Sequence, residues 1–192
     1  MPPPQKGDAG EIARLIAAGD RVDAVDGNRR TPLHVATHFG HQAAAQPLIR
    51  SGADPNALDA QQYDIVTIAA VNNDVPMLKV ALAGGCDPKN ITSPYRGTAL
   101  IAAAHLGHAE VVRVLIAAGA PLDHVNNLGW TALIESIVLG NGGRNHIDTL
   151  EALVKAGANV NLADRAGATP LALAKARGYA EMVRILEAAG AR

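Results

Sequence analysis

A glycine recurs along this chain at nearly constant spacing, and each copy closes a short apolar stretch. The recurring residues are Gly19, Gly52, Gly85, Gly119, Gly157 and Gly190. Successive copies lie 33, 33, 34, 38 and 33 residues apart. A period of this length is typical of a repeat array, in which each unit buries its apolar face on its neighbours. The chain is therefore expected to fold by stacking similar units.

Each unit contains two stretches with helical character. The second stretch spaces apolar residues three and four positions apart, as in residues 112–116. The first opens with a residue suited to cap a helix, and the predicted caps are Thr31, Asp64, Thr98, Thr131 and Thr169. It should end at a left-handed residue, predicted at Gly40, Asn73, Gly107, Gly140 and Gly178. With only 3% aromatic residues, the core must be Ala, Leu, Ile and Val, and the predicted fold is all-α.

Three motifs that keep one register resemble the ankyrin repeat. They are TPLHVA at residues 31–36, SGADPNA at 51–57 and GHAEVV at 107–112. The stretch 129–143 further resembles small bacterial proteins made only of ankyrin repeats. The resemblance implies a solenoid of helix-turn-helix units with finger turns, in which the fingers and first helices line a concave groove.

The resemblance covers residues 7–192 as a single domain of five to six repeats, preceded by a flexible segment at residues 1–6. The predicted units, of which the first is truncated, are 7–25, 26–58, 59–91, 92–125, 126–163 and 164–192. Pro47 falls inside a second helix and predicts a kink, because it removes a hydrogen bond and clashes with the preceding turn. Five extra residues at 141–145 predict a loop that protrudes from the solenoid.

Charge and hydropathy exclude several classes of partner. Seventeen Lys and Arg against eighteen Asp and Glu leave no basic excess for nucleic acid or an anionic membrane surface. No apolar run approaches the ~18 residues of a membrane helix, and the first residues lack the apolar region of a signal peptide. A cytoplasmic protein is expected, with a periplasmic location as the alternative if a signal peptide has been removed.

The residues that could act in catalysis or metal binding are better interpreted as structural residues. His34 holds the motif position whose ring, by the resemblance, bonds backbone between repeats, and His41, His108 and His146 fall where second helices begin. Cys86 follows a helix-ending glycine, as a small buried residue would. No HExxH, CxxC, nucleophile elbow or phosphate loop is present. We therefore predict no catalytic residue, no metal site and no cofactor, and we do not expect an enzyme.

The variable finger and helix-end positions remain as the candidate site. Four of the five aromatic residues fall there, and aromatic and arginine side chains dominate interface energies. The alternative is that the rings fill space between fingers, above all Trp130. The predicted partner-binding residues are Arg30, His38, Phe39, Tyr63, Asn72, Tyr95, His105, Trp130 and Arg177.

The expected function is non-enzymatic protein–protein interaction on the concave face formed by the fingers and first helices. The partner would be a protein whose identity the sequence does not give, and the chain is expected to be a monomer. Two alternatives stay open. One is a scaffold that associates with itself, and the other is a small-ligand or enzyme site near the 141–145 loop.

Overall fold

A computed structural model of the chain describes residues 18–192 and, ahead of them, Gly10, Arg14 and Leu15. The predicted flexible segment at 1–6 and part of the predicted unit at 7–25 lie outside the described residues. Between residues 18 and 192 the chain forms ten helices in five consecutive pairs. The first helices of the pairs are α1 Pro32–His38, α3 Ile65–Val71, α5 Ala99–Leu106, α7 Ala132–Val138 and α9 Pro170–Ala176. The second helices are α2 Gln42–Arg50, α4 Val75–Ala83, α6 Ala109–Ala117, α8 Arg144–Lys155 and α10 Ala180–Ala188.

The helices stack in two layers. The first helices pack against one another in chain order, and the second helices form the layer behind them. One continuous buried cluster runs from Leu33 to Leu186 and consists mainly of Ala, Leu, Ile and Val, with Met77 and Met182. Small and aliphatic residues let the short helices approach closely. The prediction of an all-α repeat solenoid is confirmed.

The predicted caps begin all five first helices. Thr31 Oγ1 accepts a hydrogen bond from the backbone N–H of His34 at 3.3 Å, and Asp64 Oδ1 accepts one from Thr67 at 2.8 Å. Each bond satisfies a donor that has no partner within the helix. The remaining caps that make the same bond are Thr98, Thr131 and Thr169.

The predicted left-handed residues follow four of the five first helices. Their φ angles are +69° at Gly40, +55° at Asn73, +72° at Gly107 and +69° at Gly178. The prediction is wrong for Gly140, because the left-handed residue after α7 is Gly142, with φ of +68°. A Cβ on Gly140 would lie 2.1 Å from the carbonyl oxygen of Ser136. Close backbone approach, and not a left-handed conformation, requires glycine at this position.

The residues inserted after α7 do not protrude as predicted. The helix α8 begins at Arg144 and has twelve residues where the other second helices have nine, so it absorbs the end of the insertion. The Tyr179 hydroxyl donates to the Gly140 carbonyl oxygen at 3.0 Å. A Cβ on Gly142 would lie 2.5 Å from the Tyr179 ring. The loop therefore packs against the following unit, because an aromatic side chain of that unit covers its glycine backbone.

The helix α2 is continuous although Pro47 lies inside it. Pro47 has no N–H to donate to the carbonyl oxygen four residues earlier, so one rung of the helix is missing. The helix continues past this point to Arg50. The change of helix direction expected at Pro47 stays a prediction.

The turns ahead of the first helices, called fingers here, span residues 26–30, 59–63, 92–97, 126–130 and 164–168. In the second finger, Asp59 Oδ1 accepts from the backbone N–H groups of Gln61 at 2.8 Å and Tyr63 at 2.9 Å. The same pair of bonds closes the other fingers, accepted by Asp26, Ser93, Asn126 and Asp164. Each finger is thus a turn closed by its own side chain.

Consecutive fingers are joined from the first to the fourth. One backbone hydrogen bond makes each connection, from Ala60 N–H to Asn28 at 2.9 Å, from Ser93 to Gln62 at 2.8 Å and from Asn127 to Tyr95 at 2.9 Å. Among residues 18–192, no such bond joins the fourth finger to the fifth. These bonds fix the register of neighbouring fingers, so side chains at equivalent positions line up along one face.

Candidate partner-binding groove

The groove is the surface formed by the fingers, the residues directly before them and the C-terminal ends of the first helices. The structure describes nine large apolar side chains that are exposed, and every one belongs to this surface. They are Val25, Phe39, Leu58, Ile91, Tyr95, Leu106, Val125, Leu128 and Leu139. None of the nine lies on a second helix. Exposed large apolar side chains at these positions make the groove a candidate interaction surface.

The nine residues predicted to bind a partner fall into two groups and one outlying residue. Tyr95, His105 and Trp130 belong to the third and fourth units, and Arg177 follows α9 in the last unit. The first two units carry the remaining five, which are Arg30, His38, Phe39, Tyr63 and Asn72. The groove therefore has an N-terminal half and a C-terminal half, and they differ in their polar chemistry.

The N-terminal half contains a cavity of about 190 Å³ between the first two units. Four of the predicted residues line it together, and they are Arg30, His38, Tyr63 and Asn72. The rest of its wall is formed by His34, Asp59, Gln61, Ile68 and Val71. The cavity combines an apolar floor with hydrogen-bonding groups, as small recognition pockets in proteins do.

Two polar side chains that line this cavity are hydrogen-bonded within the chain. Arg30 donates to Asp26 Oδ2 through Nε at 2.9 Å and Nη2 at 2.7 Å. These bonds lower the pKa of Asp26. The Asn72 side-chain amide donates to the carbonyl oxygen of His38 at 3.1 Å. The N-terminal half therefore offers a preformed shape, with its charges satisfied within the chain.

Phe39 forms the rim of the N-terminal half. Phe39 is 62% exposed. The ring makes an edge contact with His38 at a centroid distance of 5.1 Å and stacks with His41 at 6.0 Å. The three rings form an aromatic surface directly beside the cavity.

The aromatic residues of the C-terminal half differ in exposure. Tyr95 is 57% exposed in the third finger, whereas Trp130 is half-buried at the end of the fourth. The backbone N–H of Trp130 donates to Asn126 Oδ1 at 3.0 Å, which closes that finger. Tyr95 is therefore the aromatic side chain that this half presents to solvent.

Glu135 is a polar residue of the C-terminal half that sequence reasoning missed. It is 3% exposed, and its Oε1 accepts from the Asn126 side-chain amide at 2.8 Å. Its Oε2 lies 3.5 Å from His105 Nδ1 and has no hydrogen-bond partner among the described residues. Burial raises the pKa of Glu135. The pKa of His105 is lowered by burial and by the nearby His146.

Two departures from the repeat pattern could have pointed to this cluster. Asn126 begins its finger, where three other fingers begin with aspartate. Glu135 lies on α7 at the position that the other first helices fill with Val35, Ile68, Ala102 and Leu173. The sequence therefore contains a signal for this cluster. Glu135 is charged where the equivalent positions are apolar, and Asn126 is neutral where three other fingers have aspartate.

Three of the four histidines predicted to be structural bond to the backbone of another repeat. The nitrogen–oxygen distances are 3.2 Å from His34 to Tyr63, 2.9 Å from His108 to Ala70 and 2.9 Å from His146 to His105. The fourth, His41, begins α2 without a side-chain cap bond. His124, which the sequence did not single out, bonds to the Arg96 carbonyl at 2.7 Å. Hydrogen bonding to backbone carbonyl groups therefore accounts for His34, His108, His124 and His146.

The single cysteine is buried as predicted. Cys86 is 5% exposed, and its thiol donates to the Pro55 carbonyl oxygen at 3.2 Å. Burial, followed by the charges of Asp64 and Asp54, raises the pKa of this thiol, which disfavours the reactive thiolate. Within the described part of the chain, no three His, Cys, Asp or Glu side chains are grouped to hold a metal ion. No helix there is long and apolar enough to cross a membrane.

Comparisons with known proteins agree with this architecture. A family model for three copies of the ankyrin repeat matches residues 66–164, and a model for a single ankyrin repeat matches residues 28–60. The ankyrin repeat protein YahD of Escherichia coli K12 is 33% identical over 97% of this chain and 93% of its own length. The B-cell lymphoma 3 protein homolog of Mus musculus is 31% identical over 94% of this chain and 40% of its own length.

Solved structures extend the similarity to three dimensions. An ankyrin repeat domain from Acinetobacter baumannii has a TM-score of 0.87 and 46% identity, covering 96% of this chain and 95% of its own. The ankyrin repeat domain of Bcl-3 has a TM-score of 0.84 and 27% identity, covering 96% and 80%. The family models, the relatives and the stacked helix pairs agree, and this chain belongs to the ankyrin-repeat family.

Proposed function

We propose that this chain is a non-enzymatic protein-binding module that receives a partner polypeptide in its groove. Ankyrin-repeat domains generally mediate protein–protein interaction, and the fold is typically a non-catalytic module. The observation that carries the proposal is the confinement of all nine exposed large apolar side chains of the described residues to the groove. A binding face needs such a core of apolar contact, whereas a solvated face does not.

Rigid presentation supports the same function. The fingers are closed by their own side chains, and backbone hydrogen bonds join the first four. A surface that is already ordered loses little conformational entropy on binding, so more of the contact energy contributes to affinity. Phe39 and Tyr95 are the exposed aromatic anchors, while the half-buried Tyr63 and Trp130 also support the fold.

The experiment compares capture of partners from a lysate of the source cell by wild type and by a groove variant. The variant carries Phe39→Ser, Tyr95→Ser and Leu139→Ser, which are exposed positions where substitution leaves the core intact. The matched control carries Lys79→Ala, Arg113→Ala and Arg184→Ala, three exposed residues of second helices. Circular dichroism verifies that all three proteins are equally helical.

We expect a protein that wild type and the second-helix variant retain and that the groove variant loses. Equal capture by all three proteins would contradict binding in the groove. Light scattering of the same proteins addresses the scaffold alternative. A wild-type dimer that the groove variant converts to a monomer would assign the groove to self-association.

A further inference from the structure

We propose that the carboxylate of Glu135, in the C-terminal half of the groove, binds a lysine or arginine side chain of the partner polypeptide. This inference rests on the proposed function and narrows it to the chemistry of one recognised residue. Two independent features support it. One is a buried carboxylate oxygen without a donor, and the other is a pair of exposed leucines, Leu106 next to His105 in the chain and Leu139 four residues after Glu135.

The Glu135 carboxylate is only half satisfied within the chain. Its side chain is 5% exposed, and Asn126 donates to Oε1 at 2.8 Å. The 3.5 Å between Oε2 and His105 Nδ1 exceeds the length of a good N–H···O hydrogen bond. A buried acceptor without a donor destabilises a folded chain, and an ionised one does so more strongly. A partner that brings an N–H donor to Oε2 removes that penalty on binding.

No basic side chain within the described residues compensates this charge. Neither lysine nor arginine there forms an ion pair with Glu135. Asn126 is neutral, and burial together with His146 disfavours the charged form of His105. A donor that carries a full positive charge is therefore a better complement than a neutral one.

His105 covers the carboxylate and is able to move aside. Its side chain is 48% exposed, and its ring makes no hydrogen bond among the described residues. The backbone of His105 is held, because its carbonyl oxygen accepts from His146 Nε2 at 2.9 Å. Rotation of the imidazole alone would open Oε2 to the groove without breaking a hydrogen bond or shifting α5.

Exposed leucines that follow His105 and Glu135 along their helices specify the neighbours of the cationic residue. Leu106 follows His105 directly and is 40% exposed. Leu139 ends α7, the helix that carries Glu135, and is 42% exposed. The occupant is thus a polypeptide segment in which lysine or arginine stands next to apolar residues. The aliphatic stem of either side chain would lie on this apolar surface while its charged end reaches the carboxylate.

The test is selection from a displayed library of random peptides on wild type, Glu135→Gln and Glu151→Gln. Glutamine at 135 keeps an oxygen for Asn126, removes the charge and replaces the second oxygen, the acceptor proposed for the cation, by an NH2 group. Glu151 lies on α8 and pairs with Lys155 at 2.9 Å, so Glu151→Gln removes the same charge from a second helix. We expect peptides with lysine or arginine at a fixed place beside apolar residues from wild type and Glu151→Gln, and loss of that preference with Glu135→Gln.

A double-mutant cycle measures the contact directly. One selected peptide is compared with its analogue in which norleucine replaces the basic residue. With wild type the replacement should weaken binding about tenfold or more, and with Glu135→Gln about twofold or less. His105→Ala should keep the preference for the basic residue, because the imidazole is displaced on binding. Equal losses with wild type and Glu135→Gln would overturn the proposal.

The same experiment separates this inference from the proposed function. Phe39→Ser with Tyr95→Ser reports whether a selected peptide lies in the groove. Peptides that this variant weakens, but that have no basic residue sensitive to Glu135→Gln, would overturn the inference and leave the proposed function standing. Failure to select any peptide weakened by the groove substitutions would count against both.

Discussion

The two halves of the groove resemble each other in fold and differ in how their polar groups are satisfied. In the N-terminal half the first finger begins with Asp26, and this carboxylate is paired with Arg30 of the same finger. In the C-terminal half the fourth finger begins with Asn126, and the carboxylate is Glu135, buried on the helix with one oxygen unpartnered. The first arrangement leaves the carboxylate paired, whereas the second leaves Glu135 Oε2 without a hydrogen-bond donor.

The comparison shows that the repeat fold accommodates the acidic residue either in the finger, as at Asp26, or on the first helix, as at Glu135. The finger still closes, because the side chain of Asn126 accepts the same two backbone bonds as that of Asp26. The amide then has a spare donor, and Glu135 Oε1 accepts from it. The asparagine in the finger, together with Glu135 on the helix, thus distinguishes the C-terminal half from the N-terminal half, where Asp26 is paired with Arg30. Four substitutions test this comparison.

The largest effect is expected from Asn126→Asp, which gives the C-terminal half the finger residue of the N-terminal half. The new carboxylate would face Glu135 Oε1 where the amide now donates at 2.8 Å. Two buried carboxylates cannot both ionise at this distance. We expect a loss of about 3 kcal/mol in the free energy of unfolding at neutral pH. Urea unfolding measures it, and recovery on acidification, when the pair shares a proton, would verify the cause.

Gly140→Ala should have the next largest effect. A Cβ there would meet the Ser136 carbonyl oxygen at 2.1 Å and the His146 ring at 2.8 Å, so we expect a loss of about 2 kcal/mol. Gly178→Ala is the control, because this glycine has φ of +69° and open space around it. Backbone strain alone should cost about 1 kcal/mol there. A larger loss at Gly178 than at Gly140 in thermal unfolding would contradict the account of the inserted loop.

Glu135→Gln should stabilise the chain, by about 1 kcal/mol at neutral pH, since it removes a buried charge and adds a donor toward His105. Burial raises the pKa of Glu135 above its ordinary value of 4.5. The favourable contribution of the wild-type carboxyl is therefore complete below that pH and is lost as pH rises through the folded-state pKa. Melting temperatures across this range should show the advantage of the variant growing with pH. A difference in melting temperature between the variant and wild type that does not change with pH would show that Glu135 has the same pKa in the folded and unfolded chain.

The smallest effect is expected from Asp26→Asn, the converse of the first substitution. Asparagine keeps the oxygen that closes the finger and loses only the ion pair with Arg30, which lies at the surface. Exposed ion pairs contribute little and are screened by salt. We expect a slight loss of stability at low ionic strength that disappears when salt is added. A loss as large as that of Asn126→Asp would remove the distinction between the two halves.

Local sequence signals predicted most of the fold. Cap residues such as Thr31 and Asp64, and helix-ending residues such as Gly40 and Asn73, act on the turn in which they lie, so they can be recognised one segment at a time. The outcome at Gly140 depends on Tyr179, which belongs to the next unit, and no local pattern contains that contact. The inserted loop was misjudged for the same reason.

The candidate site was predictable in outline and not in its chemistry. The register of the repeat placed Phe39 and Tyr95 at exposed positions of the fingers and helix ends, and both are exposed. The half-satisfied state of Glu135 depends on its distances to Asn126 in the finger and to His105 on the neighbouring helix. Such distances follow from packing. The sequence therefore indicated the groove as the candidate site but not which charged side chain in it lacks a partner.

The backbone hydrogen bonds that join the first four fingers also bear on how the molecule responds to force. A pull along the stack loads these three connections in series, and each must lengthen or break before its fingers part. The fifth finger has no such bond to its neighbour among residues 18–192. When a single molecule is stretched, the last helix pair should therefore detach before the other four described helix pairs. The force needed to separate neighbouring units should thus be lower between the fourth and fifth described helix pairs than between the others.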